Sequence, residues 1–253
     1  MNKYNIFTYL FCFLISLNLS AQKPSAKDES KKPKKEKTYK DIITKDAITD
    51  KGLFDIHKVK EKYFYEINDS LLGREMLMVT RIAKTASGLG FGGGKQNTQV
   101  LRWQIKDNKI LLRVVSHNVV ASDSLPVNEA VLNSNFEPIL YSFKIESKGI
   151  DSTSTLIEVT KLFNEDVKPL GFPQSRRKGY KISSLNSKKS FIESIKSYPE
   201  NIESRHVKTY NSSSPPSNSS TGTISLEINN SMILLPKTPM KRRYFDQRVG
   251  WFA

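Results

Sequence analysis

The sequence predicts a mainly β protein of antiparallel sheets with one or two short helices. Two observations carry the prediction. Short runs of alternating or β-branched apolar residues recur from about residue 63 onward, punctuated by Asn, Asp, Ser, Gly and Pro. Helix-length intervals between them are few, which disfavours a layout of alternating strands and helices. With 253 residues, 38% hydrophobic and 26% charged, the chain has material for a sizeable core in one or two domains.

The first segment reads as a secretory signal peptide over 1–21. Lys3 supplies a positive start, an apolar run follows from Ile6 to Leu19, and Ala21 offers a small residue before Gln22. The run is shorter than the roughly 20 residues of a membrane span. Cys12, the single cysteine, lies inside it, so the exported chain would carry no thiol. That excludes disulfides, a thiol nucleophile and cysteine-ligated metal. Residues 22–38 form a Lys-rich tether. From Gln22 to Lys40, eight lysines face Asp28, Glu29 and Glu36, with too little apolar surface to fold. Export argues against a nucleic-acid partner for this tail, although the net charge of +15 suits anionic surfaces.

Strands are expected at 63–67 and 75–83, joined by Asn68-Asp69-Ser70 and Gly73. A second pair, 98–105 and 109–116, flanks Lys106-Asp107-Asn108, a hairpin signal. Further strands are expected at 139–146, 153–161, 202–210, 223–228 and 232–235. One helix is expected at 190–198: Ser190 and Glu193 imitate a capping box, Phe191, Ile192, Ile195 and Tyr198 share a helical face, and Pro199 stops it. A short helical turn is expected within 162–167. The Ser-, Asn- and Pro-rich stretch 211–222 reads as an exposed connection within one sheet. The expected organisation is a small N-terminal domain, 39–83, followed by a β-rich domain, 84–253.

The residues offer little chemistry. His57, His117 and His206 are far apart, and none belongs to a His-Glu-x-x-His pattern, in which two imidazoles on one helix face hold zinc beside a general base. Gly88, Gly90 and Gly93 formally satisfy GxGxxG, but a strand-like run follows where a dinucleotide site needs a helix. Gly94 occupies the lysine position of a P-loop. No serine sits in a GxSxG elbow. Lys241-Arg242-Arg243 beside Tyr244 and Phe245, and Arg176-Arg177-Lys178, are basic groups without a recognition motif. No catalytic, cofactor-binding or metal-ligating residue is assigned.

One resemblance extends along the chain. The stretch 65–82, with Tyr39-Lys40-Asp41-Ile42-Ile43, Lys51-Gly52-Leu53-Phe54-Asp55-Ile56-His57, Ser231-Met232-Ile233-Leu234-Leu235-Pro236 and the run from Pro239 to Phe252, resembles the N-terminal part of bacterial secreted zinc-dependent metalloproteases. In that family two domains of unknown function precede the zinc-binding catalytic domain. The resemblance implies a non-catalytic accessory region that packs against a protease domain or positions a protein or peptide substrate. Zinc would belong only to the catalytic domain, whose motif is missing here. Trp251 and Phe252, two apolar side chains near the last residue, lead to the expectation that the second domain is incomplete and the chain a truncated piece. The alternative is an independent exported module that binds anionic glycan or lipid. Either would be periplasmic, at the cell surface or extracellular.

Overall fold

The computed structural model describes residues 37–238 together with 240, 247 and 248. The signal peptide, almost all of the tether, and the 241–246 and 249–253 segments with their basic and aromatic residues lie outside the described residues.

Twelve strands form one antiparallel sheet: β1 (Ile48–Asp50), β2 (Asp55–Val59), β3 (Lys62–Asn68), β4 (Glu75–Lys84), β5 (Lys95–Lys106), β6 (Lys109–Val115), β7 (Ile139–Lys148), β8 (Ser154–Glu158), β9 (Ile182–Leu185), β10 (Phe191–Ser197), β11 (Asn201–Ser212) and β12 (Thr223–Leu234). The spatial order is β1-β2-β3-β8-β7-β6-β5-β4-β12-β11-β10, with β9 added beside β11. The helices are short: α1 (Tyr39–Ile42), α2 (Val127–Ser134), α3 (Thr160–Asn164) and α4 (Gln174–Arg177). The expected fold class is observed. Strands on both sides of residue 84 share the sheet, since β3 pairs with β8 and β4 pairs with β5 and β12.

The sheet curls until it nearly closes as a barrel. At the seam Leu53 N donates to Tyr198 O at 2.7 Å and Ser197 N donates to Asp50 Oδ2 at 3.0 Å. Gly52 permits this approach, because a Cβ there would stand 2.8 Å from Tyr198 O and 2.5 Å from Ser197 Oγ. Gly52→Ala must therefore force the seam apart. The expected cost is about 1–3 kcal/mol, read as a lower urea midpoint. An unchanged midpoint would mean the seam is not closed in solution.

Alternation explains the core. Along β4 Met76, Met78, Thr80 and Ile82 point inward, while Leu77, Val79 and Arg81 are more exposed. The main cluster centres on Trp103, fully buried among Phe54 (5.9 Å between ring centroids), Tyr65 (6.3 Å) and Phe143 (5.5 Å). A second cluster gathers Ile82, Phe172, Tyr210, Ile224, Leu226 and Ile228. The predicted hairpin is present, with Asp107 at φ 52° in the left-handed region that such a turn demands.

The helix expected at 190–198 is instead strand β10. Ile192 pairs with His206 and Ile195 with Ser204, leaving Glu193 as the extra residue of a bulge. A bulge shifts the alternation by one, so two inward isoleucines stand three apart, the spacing of a helix face. The capping-box signal is overridden too, for Ser190 Oγ donates to Asn186 O and accepts from Thr209 N. Residues 223–228 and 232–235, expected as separate strands, are almost wholly one twelve-residue strand, β12. Helix α2, which sequence periodicity did not announce, sits in the long 116–138 connection between β6 and β7.

Candidate functional site

The inward face of the sheet carries polar residues where alternation calls for apolar ones. Asn97 on β5, Thr80 on β4, Asn230 on β12 and Ser204 on β11 stand directly opposite one another in register. They form a row across four strands about 14 Å long, from the usual strand spacing. On one side lie Met78, Met232 and Ile202, and on the other Ile82, Ile228 and His206. Further along β11 come Lys208 and Tyr210. Thr80, Ser204, His206, Lys208, Tyr210 and Asn230 are all buried.

What these groups hold is main chain. Helix α3, the 3-10 turn Lys168–Leu170 and α4 form a strap over this face. Thr80 Oγ1 donates to Pro169 O at 2.9 Å and Asn97 Nδ2 to the same carbonyl at 3.4 Å. His206 Nε2 donates to Leu170 O at 3.2 Å, Lys208 Nζ to Glu165 O at 2.5 Å, and the Tyr210 hydroxyl accepts from Phe172 N at 3.0 Å. Arg177 clasps Asp166 through two bonds of 2.6 Å and donates to Phe172 O. Leu170 and Phe172 insert as buried apolar anchors on either side of Gly171.

The electrostatics follow from burial. His206 donates through Nε2, so its Nδ1 is a lone pair, and it has no partner. Desolvation, with the nearby Lys208 charge, pushes its pKa down to about 3. Burial also pushes Lys208 down to about 8, against the pull of Asp166. Asn230 donates to Thr80 Oγ1 at 2.7 Å, yet its Oδ1 has no partner. Tyr65, whose hydroxyl is also unpartnered, lines the same small interior cavity as Asn230, Ser204, Leu170 and Phe163.

The three histidines are separate. His57 on β2 contacts Thr49 Oγ1 through Nδ1 at 2.8 Å and Glu66 Oε2 through Nε2 at 3.0 Å. Glu66 also accepts from Tyr39 and Ser154. The His57 bond, aided by those hydroxyls against desolvation, holds the Glu66 carboxyl down at about 2. Beside it lies an open polar pocket of about 220 Å³ lined by Asp55, Glu66, Asn68, Asp151 and Ser154. His117, after β6, meets Glu75 at 3.0 Å on the surface. Among the described residues no three His, Cys, Asp or Glu side chains are placed to hold a metal ion. The glycines from Gly88 to Gly94 form the connection from β4 to β5, with no helix after them. Of the basic group 176–178, Arg176 donates to Leu89 O and Arg177 holds the strap.

The polar row escaped the sequence reading. Its signal was a polar residue inside each inward set, Met76-Met78-Thr80-Ile82 and Ile202-Ser204-His206-Lys208-Tyr210, visible only once strand pairing aligns them.

A second surface feature stands apart. The 116–138 connection and the start of β7 expose Val119, Val120, Leu125, Val127, Leu132 (65%), Phe136 (78%) and Ile139, and α2 has no buried residue. Among the described residues no helix is long and apolar enough to cross a membrane.

Fold and site together define a nearly closed antiparallel sheet protein with a polar-lined, strap-covered inner face. Residues 93–253 match the family model described as Domain of unknown function (DUF5117), and residues 36–85 match Domain of unknown function (DUF5118). The chain belongs to the DUF5117 family. No curated protein and no solved structure matches it.

Proposed function

We propose that the chain is an exported, non-catalytic accessory region of a zinc-dependent metalloprotease-like protein. It packs against a protease catalytic domain and positions protein substrate for it. The observation that carries this reading is the arm of residues 116–139. Seven large apolar side chains are exposed along this one segment, and apolar surface left open in this way points to an interaction site. The order of the two domain families, short then long, agrees with the resemblance to the protease N-terminal region. In this reading zinc and the water it activates belong to the catalytic domain, and export rests on the 1–21 leader.

The test is association. The protein is mixed with an HExxH-containing catalytic segment from a metalloprotease that carries the same two N-terminal domains, and the pair is run on a sizing column. Co-elution is expected, with affinity reduced roughly tenfold or more by Leu132→Ser with Phe136→Ser. Separate elution of folded components overturns the reading. The second reading, an independent module for anionic glycan or lipid, is favoured by the net charge of +15. Salt-sensitive retention on heparin by a protein that ignores the catalytic segment would support it.

A further inference from the structure

We propose that the inner face of the sheet is a groove that reads polypeptide main chain, and that residues 165–172 are its built-in occupant, displaceable by another peptide with bulky apolar residues two apart. The proposal deepens the substrate-positioning reading above and draws its purpose from it.

Four contacts define the groove. The carbonyls of Glu165, Pro169 and Leu170 and the N–H of Phe172 are each held by a sheet side chain: Lys208, Thr80 with Asn97, His206, and Tyr210. None of these bonds touches a strap side chain. Every polypeptide offers the same carbonyl and N–H groups, so such contacts give affinity without demanding a sequence. Selectivity comes from the two cavities that take Leu170 and Phe172, which belong to separate core clusters. The 3-10 turn that ends at Leu170 lets the consecutive carbonyls of Pro169 and Leu170 both face the sheet, and the extended Gly171 then separates the two anchors.

The strap also fits incompletely. His206 Nδ1, Asn230 Oδ1 and the Tyr65 hydroxyl are buried without partners on the sheet beneath it. A buried polar group left unpaired forfeits the hydrogen bonds it had with water. The groove therefore has more hydrogen-bonding capacity than its own segment uses. An invading chain able to satisfy those atoms gains what the strap forgoes.

Gly171 gives a clean way to lift the strap. A Cβ at that position would stand 2.6 Å from the Tyr210 hydroxyl, which is itself buried and hydrogen-bonded. Gly171→Ala thus disturbs the occupant and replaces no groove residue. The probe is a fluorescein-labelled synthetic peptide of the strap sequence, residues 164–173, followed by fluorescence anisotropy. A tethered occupant competes at an effective concentration of order millimolar, so the wild type should bind the peptide weakly. Gly171→Ala should bind it at least roughly tenfold more tightly. The same peptide with Ser in place of Leu170 and Phe172 should lose that binding. Asp166→Asn, which opens the Arg177 clasp, should shift affinity in the same direction and serves if Gly171→Ala fails to fold. Reduced, unfolded casein should compete.

Equal, weak binding by wild type and a folded strap variant overturns the proposal, as does tight binding that ignores the Leu and Phe replacements. The assay uses this chain alone. Loss of docking to a catalytic segment with peptide capture intact would sink only the accessory reading, and the converse would sink only the groove.

Discussion

Lowering the pH from 7 to 4 is expected to remove on the order of 3 kcal/mol of stability through His206 alone. The folded protein holds this imidazole neutral, with its pKa pushed down to about 3, whereas in the unfolded chain it titrates near 6.5. Below pH 6.5 the unfolded state binds the proton and the folded state refuses it. The contribution is therefore present above 6.5 and is lost progressively as the pH falls toward 3. A proton on Nδ1 would create a buried cation with no acceptor, facing Lys208 on its own strand; Glu165, Asp166 and Arg177 lie on the strap above. The check is a set of urea midpoints at pH 7, 5.5 and 4 for wild type and His206→Leu. The variant should be weaker at pH 7, since it leaves the Leu170 carbonyl without its donor, but its midpoint should fall less steeply with acid. Glu66, held down at about 2, adds a loss common to both as the pH falls below its unfolded value of about 4.5. Parallel wild-type and variant curves would mean that His206 is not buried as described.

Trp103→Ala should destabilise the protein by about 3–5 kcal/mol, the range for deleting a large buried aromatic. Trp103 sits at the meeting point of Phe54 from the β1–β2 connection, Tyr65 from β3 and Phe143 from β7. Its removal opens a void among elements that are far apart in sequence. The void is hard to fill, because these rings are pinned by strands on three sides. Trp103→Phe should cost markedly less: it leaves a smaller cavity, and it removes an indole N–H that has no partner. Guanidinium unfolding followed by circular dichroism separates the two. Equal losses for Ala and Phe would show that volume is not what this position supplies.

The sheet was legible where period-two patterning and turn chemistry agreed, as at Val100 to Val115 around Asp107. It failed where one residue broke the phase. The bulge at Glu193 made Ile192 and Ile195 look helical, and only pairing with His206 and Ser204 on β11 resolves the ambiguity. The site was illegible for a related reason. Thr80, Asn97, Ser204 and Asn230 are unremarkable polar residues in their own segments, and they become a row only through three strand registers spanning more than a hundred residues. The strap was illegible because its polar contacts to the sheet use its backbone, while Leu170 and Phe172, its buried anchors, follow no strand or helix period.

The exposed arm is the claim on which the functional account rests. Amide hydrogen exchange over residues 116–139, with and without the catalytic segment, measures it most directly. The account predicts that exchange in this arm slows on mixing, while the surface of β9 on the far side of the strand order is unaffected. Unchanged exchange throughout the arm, at a concentration where the two proteins are shown to associate, would contradict it.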